Sequence, residues 1–291
     1  MGARPTLLLA IAAAAILVGV LSVRVPAAIV DASAGALLHP ARHRALREPP
    51  NRCVNESIAG DSVTLAAWRC HASGPLRGTV VYLHGVADNR ASAAGWIDLL
   101  TARGFDVVAY DSRAHGESTG DACTYGYFEK RDLSRAMDSA RAKPIVLIGT
   151  SLGAAVAIQT AAVDPRVAVV VAAETFSDLR TVAIERAPRM LTPGLIQRAF
   201  AAAEREGRFE VDAVSPVAAA AHVTVPVLLV HGAEDVDTPP DHSRRVFAAL
   251  AGEKKLILVP NAGHNHSMNR GVWPDVERWI ASAVTTSARS R

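Results

Sequence analysis

A serine with glycines two residues to either side stands at Gly149-Thr150-Ser151-Leu152-Gly153. It joins the apolar, β-branched run Ile145-Val146-Leu147-Ile148 to a breaker-free stretch that ends before Asp164-Pro165. The first run suits a strand buried on both faces and the second a buried helix. A turn tight enough to join them crowds the backbone around Ser151 and leaves no room for a Cβ at Gly149 or Gly153. It also lifts the Ser151 hydroxyl above the carboxyl edge of the sheet, where the N–H groups of the next helix converge. Such a strand–turn–helix bridge is a nucleophile elbow.

A serine hydroxyl attacks only when a base takes its proton and a third group orients that base. Downstream, Leu228-Leu229-Val230 runs into His231-Gly232-Ala233-Glu234-Asp235-Val236-Asp237-Thr238-Pro239. Asp235 is the expected acid, with Glu234 and Asp237 as rivals on either side. Leu256–Val259 runs into Pro260-Asn261-Ala262-Gly263-His264-Asn265-His266. His264 is the expected base, with His266 two residues away. An aspartate capping the following helix and an ordinary loop histidine are the alternative roles. The order Ser, Asp, His, each at a strand end, favours the catalytic one. The oxyanion formed by attack needs two fixed N–H donors. Leu152, opening the helix after the serine, supplies one, and Val86, after His84-Gly85, the other. Gly85 lets that backbone approach a substrate closely.

The elements that must position these residues alternate in type. Strands are expected at 53–58, 62–70, 79–83, 107–110, 145–148, 167–173, 225–230 and 255–259. Helices are expected at 91–102, 127–142, from 153 onward, at 241–251 and at 272–283. This alternation predicts a mostly parallel central sheet flanked by helices, with ligands bound beyond the carboxyl ends of its strands. The gap between the strands at 167–173 and 225–230 is far longer than an ordinary connection. It holds two expected helices, at 178–187 and 194–205, and reads as a small helical cap at about 176–222. Its apolar content would admit medium-length acyl chains.

Composition bounds the rest. Half of the 291 residues are apolar, a fifth are charged and the formal charge is +3. No dense basic run and few aromatics accompany that charge, so nucleic acid is not an expected partner. There is no Cys-x-x-Cys pair, and His264 with His266 offers too few ligands, so neither metal nor cofactor is expected. Residues 6–23 are an unbroken apolar run between Arg4 and Arg24. Residues 1–30 therefore read as a signal anchor or signal peptide, 31–51 as an irregular linker and 52–286 as the catalytic domain. The arginines at 24, 42, 44 and 47 argue for a cytoplasmic carboxyl side, whereas a lone N-terminal signal argues for export, which is favoured. The membrane is thus an expected partner through the N-terminal segment, and a chain beginning near Arg47 is expected to keep its chemistry. Cys53 and Cys70 flank a turn at 59–61 and could pair in an oxidising compartment or remain reduced. Cys123 is left over.

The chain resembles the α/β-hydrolase superfamily of serine hydrolases from about Cys53 to the C-terminus. The resemblance rests on His84-Gly85, Asp111-Ser112-Arg113-Ala114-His115-Gly116-Glu117-Ser118, the elbow, His231-Gly232 with Asp235 and Pro239, and Gly263-His264. Within it, the chain is similar to the membrane-anchored Bem46-like and serine-aminopeptidase-like bacterial branch. That implies an α/β-hydrolase fold, hydrolysis of a small-molecule ester and the triad Ser151, Asp235 and His264. A peptidase or thioesterase using the same groups, or a silent membrane-tethered binding module, are the rival readings. The loop at His84 lacks the extra glycines of lipase-type motifs, which speaks against large lipids. Asp111 and His115 are expected to shape the rim as structural residues.

Overall fold

A computed structural model describes residues 24–45 and 48–289. The apolar run at 6–23 lies outside them. Residues 24–38 form a helix, α1. The strands are β1 (Cys53–Ala59), β2 (Thr64–Cys70), β3 (Gly78–Leu83), β4 (Phe105–Tyr110), β5 (Ile145–Thr150), β6 (Val167–Ala173), β7 (Val227–Gly232) and β8 (Lys254–Val259). They form one sheet in the order β1-β2-β4-β3-β5-β6-β7-β8. The first two pairings, β1 with β2 and β2 with β4, are antiparallel and the rest are parallel. β3 through β7 are buried throughout except for half-buried Thr150 at the end of β5, as their nearly continuous apolar runs require of strands covered on both faces.

The helices are α2 (Ala94–Ala102), α3 (Glu129–Asp138), α4 (Leu152–Ala161), α5 (Leu179–Arg186), α6 (Pro193–Gly207), α7 (Pro216–Ala220), α8 (Asp241–Ala249) and α9 (Trp273–Arg289). Ile97 and Leu100 of α2 and Val276 and Ile280 of α9 pack on one face of the sheet. Leu133 of α3, the buried side of α4 and Val246 of α8 pack on the other. The fold is therefore the expected layered α/β sheet. Short α7 was not expected from the sequence. Ser215 caps it, its Oγ accepting the Ala218 N–H at 3.2 Å, and Pro216 stands at its first turn, a start signal confined to two residues.

The stretch expected as a linker differs more. Ala34 and Leu38 of α1 belong to the core cluster that holds α3 and α4, and Leu38 has no exposed surface. The chain beyond it stays tied down. Cys123 N–H donates to Leu38 O at 2.8 Å, and the Tyr125 hydroxyl donates to Leu37 O at 3.0 Å. His39 donates through Nδ1 to Asp121 O and bonds Glu206 of α6 through Nε2, both at 2.7 Å. Residues 30–43 are a strap across the body, because the loop at 118–125 and α6 present backbone carbonyls and apolar surface that need covering. Local sequence, rich in Arg and Pro, carries no sign of that demand.

Cys53 and Cys70 are direct cross-strand partners in β1 and β2 and form a disulfide. Cys123 is free and buried.

Candidate active site

The carboxyl ends of β3, β5, β6, β7 and β8 share one edge of the sheet, since Leu83 pairs with Gly149, Thr150 with Ala173 and Gly232 with Val259. Every residue singled out for chemistry hangs from that edge. Ser151, between β5 and α4, has φ 51° and ψ −110°, a conformation L residues avoid. The two glycines explain how it is held. A Cβ on Gly149 would lie 2.4 Å from Gly153 backbone, and one on Gly153 would lie 2.2 Å from Leu83 O.

Ser151 Oγ is 3.1 Å from His264 Nε2, and His264 Nδ1 is 2.7 Å from Asp235 Oδ2. With the ring proton on Nδ1, donated to the carboxylate, Nε2 is free to accept the serine proton. Asp235 is buried, which by itself would raise its carboxyl. Hydrogen bonds from His231 and His264 and from the Thr238 N–H outweigh burial and hold it well below the usual carboxylate range. Its other oxygen accepts the N–H groups of Asp237 at 3.0 Å and Thr238 at 2.9 Å. Glu234, Asp237 and His266, the rival candidates, are exposed.

Leu152 opens α4 directly after the serine and is buried. Val86 lines the same cleft as Ser151, and its N–H has no hydrogen-bond partner among the described residues. Its peptide is oriented from behind. Ser112 N–H donates to His84 Nε2 at 2.9 Å, so the ring carries its proton on Nδ1 and donates it to Gly85 O at 2.7 Å. In a trans peptide the carbonyl and the N–H point opposite ways, so fixing Gly85 O turns the Val86 N–H away from His84. His115 packs edge-on against His84, ring centroids 5.1 Å apart, and Asp111 pairs with Arg90; both are fully buried, so they support the loop from within rather than shaping the rim as expected.

Two residues of the site were given no role from the sequence. His231 Nε2 lies 2.8 Å from Thr238 O and 3.2 Å from Asp235 Oδ2, so it braces the turn that carries Asp235. Glu174, directly after β6, is fully buried and accepts the N–H groups of Asn265 at 2.5 Å and Ser267 at 2.9 Å. An acid at the end of a wholly apolar strand was the available signal. Glu174, Asp235 and His264 each offer a ligand-type atom within 4.8 Å of the others. All three donor groups are already engaged by one another or by backbone N–H and hydroxyl groups.

The cleft over Ser151 has a volume of about 590 Å³ and is walled by Val86, Glu185, Arg186, Val236, Asp237, Pro239 and Asn265. Glu185 and Arg186 come from α5. Arg186 Nε donates to Asp237 O at 2.8 Å, and Glu185 accepts from buried His242 at 2.7 Å, which joins the insertion to the β7–α8 side of the cleft. The wall is more polar than the composition of the insertion suggested, because Phe200, Ala203 and Val211 turn into the core while Glu185 and Arg186 face the cleft.

A sheet of this order with a strained serine after β5 is the layout of one class of hydrolytic enzymes. The chain matches the Alpha/beta hydrolase family over residues 80–273 and belongs to it. It is similar to the uncharacterized protein YqkD of Bacillus subtilis, 27% identical over 203 residues, spanning 66% of each chain. It is also similar to the uncharacterized protein YfhR of Escherichia coli, 26% identical over 222 residues and 72% of each. Among solved structures it resembles the Pyrococcus furiosus esterase Pf2001, with a TM-score of 0.65 and 21% identity over 86% of this chain and 98% of that one. That likeness is one of fold.

Proposed function

We propose that this hydrolase cleaves a carboxylic ester through an acyl-enzyme on Ser151. The observation that carries the reading is the unbroken hydrogen-bonded row Asp235–His264–Ser151 at the floor of an open cleft. Ser151 Oγ attacks the carbonyl carbon as its proton passes to His264 Nε2. The resulting oxyanion lies between the N–H groups of Leu152 and Val86, each worth about 10²–10³ in rate at such a site. His264 then gives its proton to the departing alkoxide. Water repeats the sequence on the acyl-enzyme and restores the serine.

The polar wall supports a short, polar ester over a long acyl chain, a narrower substrate than the apolar content of the insertion suggested. The likeness in fold to the Pyrococcus furiosus esterase Pf2001 fits this reading. The apolar run at 6–23 is proposed to hold the protein at a membrane, on the exported side. The Cys53–Cys70 bond supports that side, since such bonds persist in oxidising compartments. Within the described residues no helix is long and apolar enough to cross a membrane.

The test is fluorophosphonate labelling of the full chain with a panel of p-nitrophenyl esters, matched amides and thioesters. Ester turnover should fall with acyl length, and Ser151→Ala should lose labelling and several orders of magnitude in turnover. Retention of more than about a tenth of the activity in Ser151→Ala would sink the mechanism.

A further inference from the structure

Glu174 is a buried charge without a cation. Its side chain stands at the carboxyl edge of the sheet, between the strand of the nucleophile and the strand of the acid. Its backbone is in the left-handed region at φ 56°, unusual for a residue with a side chain. No Lys, Arg or His pairs with it within 4.0 Å among the described residues, although it is wholly buried. What satisfies it is backbone alone: the N–H groups of Asn265 and Ser267, on the loop that carries His264. Two N–H donors converging on one side chain call for an acceptor-only group. Glutamate provides it, whereas glutamine would set an amide N–H against one of them.

A buried carboxylate is costly to keep unless something answers its charge. In the resting site nothing does. During turnover one cation arises within its reach, because a Glu174 oxygen, an Asp235 oxygen and a ring nitrogen of His264 lie within 4.8 Å of one another. We propose that Glu174 is a second carboxylate for His264, a positioning residue that fixes the 264–267 loop and stabilises the imidazolium formed when Ser151 gives up its proton. Asp235 bonds the ring itself, and Glu174 acts on the same ring through the backbone and through space. The inference rests on the ester-hydrolase reading and assigns a role to a residue outside the triad.

The test uses the full chain with Glu174→Gln, Glu174→Asp and Asp235→Asn, with p-nitrophenyl acetate as substrate. Glu174→Gln should lower kcat by about 10- to 100-fold with KM within about twofold, because the lost stabilisation belongs to the transition state. Fluorophosphonate labelling should slow by a similar factor. Glu174→Asp keeps the charge and should recover part of kcat. Combining Glu174→Gln with Asp235→Asn should cost more than Asp235→Asn alone, since the imidazolium then has no anion. The low-field proton resonance of the His264 Nδ1–H gives a readout independent of turnover. It should weaken or vanish in Glu174→Gln and persist in Glu174→Asp. A wild type that neither hydrolyses the ester nor takes the label defeats the hydrolase reading, and the resonance then decides Glu174. A Glu174→Gln protein that melts like wild type with kcat and resonance unchanged overturns the proposal. So does a folded Glu174→Asp variant no better than Glu174→Gln.

Discussion

Truncating Leu38 to Ala should weaken the whole domain. Leu38 has no exposed surface, and its Cδ2 lies so close to α6 that a Cβ on Gly207 would meet it at 2.9 Å. Removing a buried leucine side chain costs about 2–5 kcal/mol through lost transfer energy and the cavity left behind. With roughly 3 kcal/mol lost, a domain of this size should melt about 6–12 °C lower. A chain starting at residue 47 loses Leu38 and the bonds of His39, Arg42 and His43 together and should melt lower still, contrary to the dispensable linker expected from sequence. Its loss of activity on warming should follow its melting, because the site residues themselves are intact. The His39 tie carries a pH signature. The hydrogen bond to Glu206 holds the His39 ring above its ordinary value, so the tie is at full strength below that ordinary value. It is lost as pH rises through the raised one. Thermal melts by circular dichroism, with Ala36→Ser on the exposed side of α1 as control, provide the assay. A Leu38→Ala protein melting within about 1 °C of wild type would refute the strap as a structural element.

Other predictions concern the site and its surroundings. His264→Ala should match Ser151→Ala in severity, whereas exposed His266→Ala should leave turnover nearly intact; the reverse ranking would reassign the base. Without reductant, iodoacetamide should add no label to the folded chain and a single label, on Cys123, to the unfolded one. Two or more labels before reduction would contradict the Cys53–Cys70 bond. Burial pushes the His115 ring down to about 4, with the neighbouring His84 acting in the same direction. The folded protein thus keeps His115 neutral while the unfolded chain takes up a proton below about 6.5. Stability should fall as pH drops from about 6.5 towards 4, by about 3 kcal/mol from this residue. Burial acts on His84 and His242 in the same direction. Urea unfolding at pH 7 and pH 4.5 measures this loss, and equal stability at the two would defeat it.

The chain order of strands and helices was legible because the inner parallel strands, β3 to β7, are covered on both faces and so read as nearly uninterrupted apolar runs. Val167–Ala173 has the same ends by sequence and by structure. The elbow, Asp235 and His264 were legible for a related reason. Ser151 and Asp235 follow such strands closely, His264 follows the apolar but only half-buried end of β8, and strand ends on one edge converge whatever the loops do. Local sequence therefore narrowed the candidate acid and the candidate base to neighbours a few residues apart.

Tertiary structure decided what depends on contacts between distant segments. Only the folded loops bury Asp235 under His264 and leave Glu234, Asp237 and His266 in water. Glu174 lies 91 residues from Asn265, and only the alignment of β6 beside β7 and β8 brings its carboxylate under the histidine loop. The strap at 30–43 meets partners 46 to 167 residues further on, and a local pattern of Arg and Pro cannot announce them. The polar wall of the cleft follows from which face of α5 turns outward, set by the packing of its neighbours rather than by its own composition. Residue types and periods fixed where the chemistry stands along the chain. Burial and long-range hydrogen bonding selected which of the adjacent groups can perform it.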